Sequence, residues 1–455
     1  MVGGKNDCRG VLQYTPTIRI IPIMNYKESI DILDSLIFFT RPCFESTTNV
    51  HGVSKGISLE RQKLLLAELG NPEKDLKVIL IAGTSGKGST ATMLAHLLHK
   101  QGHKAGLYIS PHLSTPRERM VIGGRQVSRQ EFANTFSEIW DKAKYVHENY
   151  TFGMPSYFEI MLAMAIVYFR KQRCEFAVLE AGLGGKLDGV NAVKNPVMSI
   201  IMPIDKDHVE VLGKTYKAIA LDKAHIMRKG KPVIISNQRN HIGTLLTNYA
   251  EQVGAVPVNA ILPVNAHIQA LNKTTFSWGG EHLVLPLTGT HYAENAAVAL
   301  TAISHLCPQY RVSSENFDSL HLAGRSECIG NDPTIILDAA HNPHKVQALV
   351  ESLRDIIADE CGIVFTALED KKAPQMIEQL SELKPRKVWI SKSLKGPRKT
   401  FDMVEMKNIA QRFCSDVELT YSPKEALESI QESGLKYVIV TGSIYYLGEV
   451  RKVIL

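Results

Sequence analysis

The feature that most constrains this chain is a glycine-rich loop set between an apolar strand and a helix. Val78-Ile79-Leu80-Ile81 is followed almost directly by Gly83-Thr84-Ser85-Gly86-Lys87-Gly88-Ser89. A short apolar run rich in β-branched residues and bounded by glycine reads as a buried strand. Ser89 to Gln101 then carries a helical period closed by Gly102. Strand, tight loop and helix in that order belong to parallel sheets, whose strands need crossover helices and are covered on both faces.

The same alternation recurs along the chain. Apolar strands are expected at Ala105 to Ile109, Phe176 to Leu179, Val197 to Ile201 and Pro232 to Ile235. Helices are expected from Tyr26 to Phe39, Leu59 to Leu69, Ser128 to Glu148, Phe158 to Lys171 and Tyr216 to Met227. A β-rich stretch from Val256 to Leu287 interrupts the pattern, and a helix from His291 to Leu306 follows it. The alternation restarts at Thr334 to Leu337 and runs to Tyr437 to Val440. At 455 residues the chain exceeds one ordinary core, so two domains are expected. The fold class is α/β: a mostly parallel sheet flanked by helices over residues 26–322, and a smaller C-terminal α/β domain over 323–455. Residues 1–25, with Gly3, Gly4, Pro16 and Pro22, read as a loosely held extension, and the hinge falls near Leu320 to Arg325.

Composition narrows the function classes. Lys and Arg number 52 against 46 Asp and Glu, a net of +6 with no dense basic stripe, which suits small anions better than nucleic acid. Seven scattered cysteines without a C-x-x-C pair read as free thiols in a reducing compartment. No apolar run reaches the roughly 18 to 20 residues a bilayer needs, and Thr17 to Met24 is broken by Arg19 and Pro22, a poor signal peptide. A cytoplasmic monomer acting on small molecules, with no membrane partner, is the expectation.

Four constellations could carry chemistry. In the loop, glycines let backbone N–H groups turn onto phosphate oxygens, and the helix N-terminus adds its positive end. Lys87 would pair with β- and γ-phosphates. The loop departs from the general Walker pattern, because position 81 is Ile and Gly88 follows the lysine. The bland alternative is a glycine turn that binds no nucleotide. Glu180 ends an apolar strand, where ligand residues of open α/β sheets gather, and suits a Mg²⁺ ion near phosphates. It could equally be a satisfied strand-end acid, although the glycine-rich run with Asp188 and Asn191 favours a site. Asp205-Lys206-Asp207-His208 follows a third strand, with Lys223 on the next helix. A lone histidine is more often structural than a ligand, and Lys223 alone reads as a solvated helix residue. Finally, Asp338-Ala339-Ala340-His341-Asn342-Pro343 follows a strand of the smaller domain. Pro343 suits a helix start, and Asp338 and His341 also suit a capping region and nothing more.

Taken together these signals resemble one family. The series GTSGKGS, YISPHL, LEAGLGGKLDGVN, DHVEVLG, DKAHIM, HYAENAAVAL, AGRSE, LDAAHNPH, LEDKK and VTGSIYYLGEV is similar to that of the folylpolyglutamate synthase/dihydrofolate synthase family of the Mur ligase superfamily. The resemblance runs from Leu59 to Val450. It implies an ATP-dependent ligase that joins L-glutamate to dihydropteroate or to a reduced folate through an acyl phosphate. It further implies that residues Gly83 to Ser89, namely Gly83, Thr84, Ser85, Gly86, Lys87, Gly88 and Ser89, hold ATP. Ser110 and Glu180 would bind one Mg²⁺ and His208 a second. Lys223 would be carbamylated, and Asn295 and Arg325 would touch the nucleotide. Asp338 and His341 would close over it from the smaller domain, and Asp188 and Phe158 would line the pterin site. Lys186, Tyr292 and Ala323 depart from the usual pattern, and His225 stands where glycine is typical, which predicts crowding beside Lys223. A Mur-type peptidoglycan ligase would want a separate N-terminal UDP-binding domain, for which the lead before Gly83 leaves no room. A cyanophycin-type ligase would want a second ATP-dependent module. A nucleotide-binding regulatory module would need the loop but not His208, Lys223 or the Asp338 to His341 run.

Overall fold

The computed structural model describes residues 24–40, 57–239, 241–369, 372–393 and 400–455. The expected extension over 1–25 therefore lies, apart from its last two residues, outside the described residues, as do Asp370 and Lys371 of the LEDKK run.

The larger sheet contains β1 (Lys77–Ala82), β2 (Ala105–Tyr108), β3 (Met120–Ile122), β4 (Arg125–Gln126), β5 (Phe176–Glu180), β6 (Met198–Ile201), β7 (Pro232–Ile235) and β8 (Val256–Asn259). Their order is β4-β3-β2-β5-β1-β6-β7-β8, parallel except for the β2–β3–β4 pairings at one edge. The short antiparallel edge and the assignment of Val256–Asn259 to this sheet were not legible from apolar periodicity, since these strands are only partly buried.

Alternation along β1 explains why both faces are covered. Val78, Leu80 and Ala82 face one core, and Ile79 and Ile81 the other, because successive strand side chains point to opposite faces. The first core is closed by α1 (Tyr26–Thr40), α2 (Ile57–Glu68), α4 (Arg129–Asn149), α5 (Tyr157–Lys171), α7 (Tyr216–Ala224) and α8 (Ile242–Val253). The second is closed by α3 (Lys87–Lys100), α9 (Thr290–Leu306) and an antiparallel sheet of β9 (Val264–Ala270), β10 (Lys273–Trp278) and β11 (Glu281–Leu285). A four-residue helix, α6 (Val209–Leu212), precedes α7. Several helices begin as the capping rules require: Ser128 accepts from the Glu131 amide and Ser156 from the Glu159 amide, each in a reciprocal capping box.

The second sheet has the order β12 (Glu327–Ile329), β13 (Thr334–Leu337), β17 (Tyr437–Thr441), β14 (Cys361–Phe365), β15 (Lys387–Ser391) and β16 (Val417–Thr420). It is parallel except at β12. α10 (Pro343–Ile357), α11 (Ala373–Leu380) and α12 (Met403–Ala410) cover one face, and α13 (Pro423–Gln431) and α14 (Ile444–Ile454) the other. Among the described residues no helix is long and apolar enough to cross a membrane.

The two sheets meet where the segment after β2 docks on α14. Leu113 packs against the core formed by Tyr446, Leu447 and Val450, and Ser114 Oγ donates to the Gly448 carbonyl at 3.4 Å. A Cβ built on Gly448 would lie 2.0 Å from the Leu113 carbonyl oxygen, so only glycine permits this approach. Gly448→Ala is expected to lose about 1–3 kcal/mol of stability, the usual penalty of overpacking, and to lower turnover by displacing the smaller domain. Denaturant unfolding with parallel rate measurements checks this. A wild-type midpoint and rate would show that the contact does not seat the domain.

Candidate active site

The site forms where the carboxyl ends of β1, β5 and β6 lie side by side, the position at which open α/β sheets bind ligands. Register places the loop after β1 beside Glu180, since Ile81 pairs with Glu180 and Ala82 with Ile201. The loop has little room. A Cβ on Gly83 would stand 2.5 Å from Met202 Cβ, and one on Gly86 2.4 Å from Asn295 Oδ1. Both glycines also have positive φ, 150° and 79°.

The loop differs from the expected cradle in one respect. The amides of Thr84 and Ser85 donate to the Pro203 carbonyl at 2.9 and 3.4 Å. The Thr84 hydroxyl exchanges hydrogen bonds with the main chain of Asp205, both at 3.0 Å. These residues anchor the loop to the segment after β6. α3 begins at Lys87, two residues before the expected start, and its first intrahelical bond is Thr90 N to Gly86 O at 2.9 Å. The amides of Lys87, Gly88 and Ser89 therefore have no acceptor in their own helix and form its anion-attracting end.

Glu180 is buried against this helix start. A Cβ on Gly88 would be 3.2 Å from its Oε2, so the glycine after Lys87, the departure from the Walker pattern, makes room for the carboxylate. Oε2 accepts from the Ser110 amide at 2.8 Å. Burial pushes the Glu180 carboxyl above its usual range, and Lys87, the Ser110 amide and Arg325 pull it back. Two loops thus converge on one acid. Ser110 Oγ would lie 3.8 Å, and Asp188 Oδ2 3.6 Å, from a Cβ on Gly182, so the hydroxyl from the loop after β2 and Asp188 both lie against the loop after β5. Asp188 accepts from the Leu183 amide at 2.8 Å and the Val190 amide at 3.0 Å, bracing the glycine-rich run. Burial raises its carboxyl, opposed by those amides and by Lys223.

Lys223 is 5% exposed, not the solvated helix residue that its sequence position suggests. Burial lowers its ammonium to about 8, helped by Lys87 and resisted by Asp207, Asp222 and Asp188. The glycine-rich run is built against it, since a Cβ on Gly185 would be 2.6 Å from the Lys223 carbonyl oxygen. Asp222 accepts from the Gly185 amide at 2.9 Å. Arg228 donates to Asn191 Oδ1 at 2.7 Å and to the carbonyls of Val193 and His225 at 3.0 and 2.8 Å, clamping this run to the end of α7. α7 ends at Ala224, three residues short of the expected Met227. His225 does not crowd Lys223 as expected: its Nδ1 lies 2.7 Å from the Leu221 carbonyl, and its ring rests on Tyr249.

His208 sits at the start of α6 with a left-handed φ of 48°. Its side chain is 55% exposed, with Nε2 3.9 Å from Asp207 Oδ1. No group of three or more His, Cys, Asp and Glu side chains spaced to hold an ion occurs among the described residues. One buried carboxylate beside a hydroxyl is nonetheless a donor set that suits Mg²⁺, which keeps several waters and takes its remaining oxygens from substrate phosphates. Asn295 is buried on α9 with its amide oxygen against Gly86. Phe158 is 49% exposed at the start of α5, with the Arg119 guanidinium 5.8 Å from its ring centre.

The smaller domain brings Asp338, at the end of β13. It accepts from the Ser326 amide at 2.8 Å and the Ala340 amide at 2.8 Å, with Arg325 the strongest charge lowering its otherwise raised carboxyl. The helix cap is Asn342, which accepts from the Lys345 amide at 2.9 Å, so neither Asp338 nor His341 is spent on capping. His341 Nδ1 lies 2.8 Å from the Ala339 carbonyl. Arg325 acts on both Glu180 and Asp338 and so links the two sheets electrostatically. Asp207 joins the cluster as part of the Asp205 to His208 run singled out in the sequence, whereas sequence reasoning missed Asp222, Arg228 and Lys345 as members of it. Of these three only Asp222 had a signal, its adjacency to Lys223.

The family model of the Mur ligase middle domain matches residues 81–303, and that of the Mur ligase glutamate ligase domain matches residues 324–444. The dihydrofolate synthase/folylpolyglutamate synthase of Bacillus subtilis is 28% identical over 422 residues, 88% of this chain and 95% of that protein. The solved FolC of Escherichia coli in complex with DHPP and ADP is 26% identical with a TM-score of 0.74, covering 94% of this chain and 97% of its own. The bifunctional folylpolyglutamate synthase/dihydrofolate synthase of Yersinia pestis, solved with AMPPNP and a Mn ion, is 26% identical with a TM-score of 0.75, covering 94% and 98%. The chain belongs to the folylpolyglutamate synthase/dihydrofolate synthase family of the Mur ligases.

Proposed function

We propose that this chain is an ATP-dependent ligase that adds L-glutamate to dihydropteroate or to a reduced folate, releasing ADP and phosphate. The observation that carries this reading is the buried carboxylate of Glu180, held by the Ser110 amide over a phosphate-type helix start and facing Lys87. A regulatory nucleotide-binding module would have no use for the buried lysine Lys223 or for groups offered by the smaller domain. The relatives named above, solved with ADP, AMPPNP, Mn and DHPP, support a nucleotide, a divalent ion and a pterin-like acceptor as the ligands. Here the ion is proposed to be Mg²⁺ and the enzyme a cytoplasmic monomer, with residues 26–322 holding ATP and 323–455 closing over it.

The chemistry follows from the weakness of a carboxylate as an electrophile, since its oxygen is a poor leaving group. The acceptor carboxylate attacks the γ-phosphoryl of ATP, the bond to the bridging oxygen breaks, and ADP departs. The α-amino group of glutamate then attacks the acyl phosphate carbon, and inorganic phosphate leaves. Lys87 and the amides of Lys87, Gly88 and Ser89 would hold the phosphates and offset charge that builds on them. Ser110 and Glu180, with His208 for a second ion, would hold Mg²⁺, which when bound supplies Lewis-acid charge neutralisation. Asn295 and Arg325 would orient the nucleotide, and Asp338 and His341 would complete the site from the smaller domain. Closure excludes water, which would otherwise hydrolyse the acyl phosphate. Phe158 and Asp188 would take the pterin ring by stacking and by fixing the adjoining loop.

Lys223 fits carbamylation on chemical grounds. Carbon dioxide adds only to the neutral amine. With its ammonium lowered to about 8, roughly a quarter of Lys223 is neutral at about pH 7.5, against roughly one part in a thousand for an ordinary lysine.

The deciding assay is phosphate release with ATP, Mg²⁺ and L-glutamate, comparing dihydropteroate with a reduced folate. ATP hydrolysis indifferent to both acceptors and to glutamate would favour the regulatory module. Lys87→Ala and Glu180→Ala are each expected to lower glutamate-dependent ADP release by at least about a hundredfold with far-UV circular dichroism unchanged. Wild-type turnover in either would overturn the phosphate and metal assignment. Lys223→Ala is expected to be inactive and partly rescued by short carboxylic acids, and full activity without any additive would count against the carbamate. Because the neutral fraction of Lys223 grows as pH rises through about 8, reactivation of carbonate-stripped enzyme by bicarbonate is expected to reach a higher plateau at about pH 8.5 than at about pH 6.5.

A further inference from the structure

Lys345 lies in the first turn of α10, in the smaller domain, and its amide is taken by the Asn342 cap. Its Nζ lies 3.4 Å from His341 Nε2. Because His341 Nδ1 faces the Ala339 carbonyl at 2.8 Å, that nitrogen carries the proton and Nε2 is left to accept from Lys345. Among the described residues no carboxylate comes within ion-pair distance of this ammonium. The charges that act on it most are repulsive, Arg325 and then Lys87, with Asp207 and Asp338 attracting more weakly. Burial and those two cations lower it to about 8. The positive end of α10 adds to the repulsion.

A half-buried ammonium without a counter-ion, set against two further cations, is destabilising unless an anion fills the space between them. The two domains meet beside the loop after β1: His344, next to Lys345, has its Nε2 3.9 Å from Asp205 Oδ2, and the Asp205 main chain is bonded to Thr84 of that loop. Lys87 belongs to the loop and Lys345 to the smaller domain, so an anion that satisfies both sits between the two domains. Nucleoside diphosphate held on α3 already has the amides of Lys87, Gly88 and Ser89. The further charge of a triphosphate is what would reach across.

We propose that Lys345 is the smaller domain's contact to the γ-phosphoryl group of the bound nucleoside triphosphate, opposite Lys87, so that the domains close on triphosphate in preference to diphosphate. This rests on the reading of the site as an ATP site. During transfer the bond between γ-phosphorus and the β–γ bridging oxygen breaks, its electron pair leaving with ADP, while the acceptor carboxylate oxygen bonds to phosphorus. Lys345 gives up no proton in this step. Its charge offsets that of the equatorial phosphoryl oxygens, and it makes Lys345 a catalytic residue beyond those named in the family motifs quoted above.

The test uses the full chain with neither acceptor nor glutamate present. Mg²⁺–AMPPNP and Mg²⁺–ADP are titrated calorimetrically into wild type, Lys345→Met, Lys345→Gln and Lys345→Arg. Loss of one charge-assisted contact predicts that the Met and Gln variants bind AMPPNP at least about tenfold more weakly, with ADP affinity within about twofold of wild type. Lys345→Arg should recover most of the difference. The retained ADP affinity reports that each variant is folded, and a residue that merely braced His341 would not separate the two nucleotides. Unchanged AMPPNP affinity, or equal loss for both nucleotides, would overturn the proposal. If the nucleotides are separated as expected but no glutamate is ever added to a pterin or folate, the function proposed above fails while this contact stands.

Discussion

Burying one carboxylate at the end of a central strand organises the rest of the site. Glu180 cannot hold a charge in an apolar sheet without compensation, which would otherwise cost several kcal/mol. Each neighbour is there to provide it. Register puts Lys87 across from it on the adjacent strand's loop, the Ser110 amide donates to it, and the charge of Arg325 favours its ionised form from the other domain. Gly88 is glycine because a side chain there would press on the carboxylate. Residues far apart in sequence are thus tied to one oxygen pair.

The second organising constraint is that cations outnumber their direct partners in the cleft. Lys87, Lys223, Arg325 and Lys345 act on one another as well as on the acids around them. A protein interior tolerates such crowding only when substrate anions complete it. The two lysines lowered to about 8, Lys223 and Lys345, mark the places where that completion is most needed. The domain seat at Leu113 and Gly448 lies on the loop that begins at Ser110, so seating the smaller domain and placing the acid's hydrogen-bond donor are one structural event.

Much of this was legible beforehand, and for identifiable reasons. Strands buried on both faces appear as unbroken apolar runs, so β1, β5 and β6 could be placed to within a residue or two. Helix starts announced themselves through Ser128 and Pro343, whereas the Ser156 cap emerged only in the structure. The positions of Gly83 to Ser89 and Glu180 at strand ends were visible for the same reason, and Lys223 could be placed on the helix that follows β6. Half-buried elements were harder. The β3–β4 edge, the helix Ile242–Val253 and the strand Val417–Thr420 bury only part of their residues and carry no long apolar run. Lys345 lay one residue beyond the quoted motif, and nothing local distinguishes a lysine in the first turn of a helix from a solvated one.

The amino-acid sequence by itself determined the layered α/β class, the phosphate-type loop and the family, because local periodicity and glycine spacing are properties of contiguous residues. Only the tertiary structure decided which charges share a cleft. Lys223 proved buried, His225 turned away onto Leu221 and Tyr249, Thr84 and Ser85 were spent on the segment after β6, and Lys345, against His341, feels the charge of Lys87 from the other domain. Electrostatic neighbours are set by sheet register and domain docking, which join residues hundreds of positions apart, and no window along the chain contains that information.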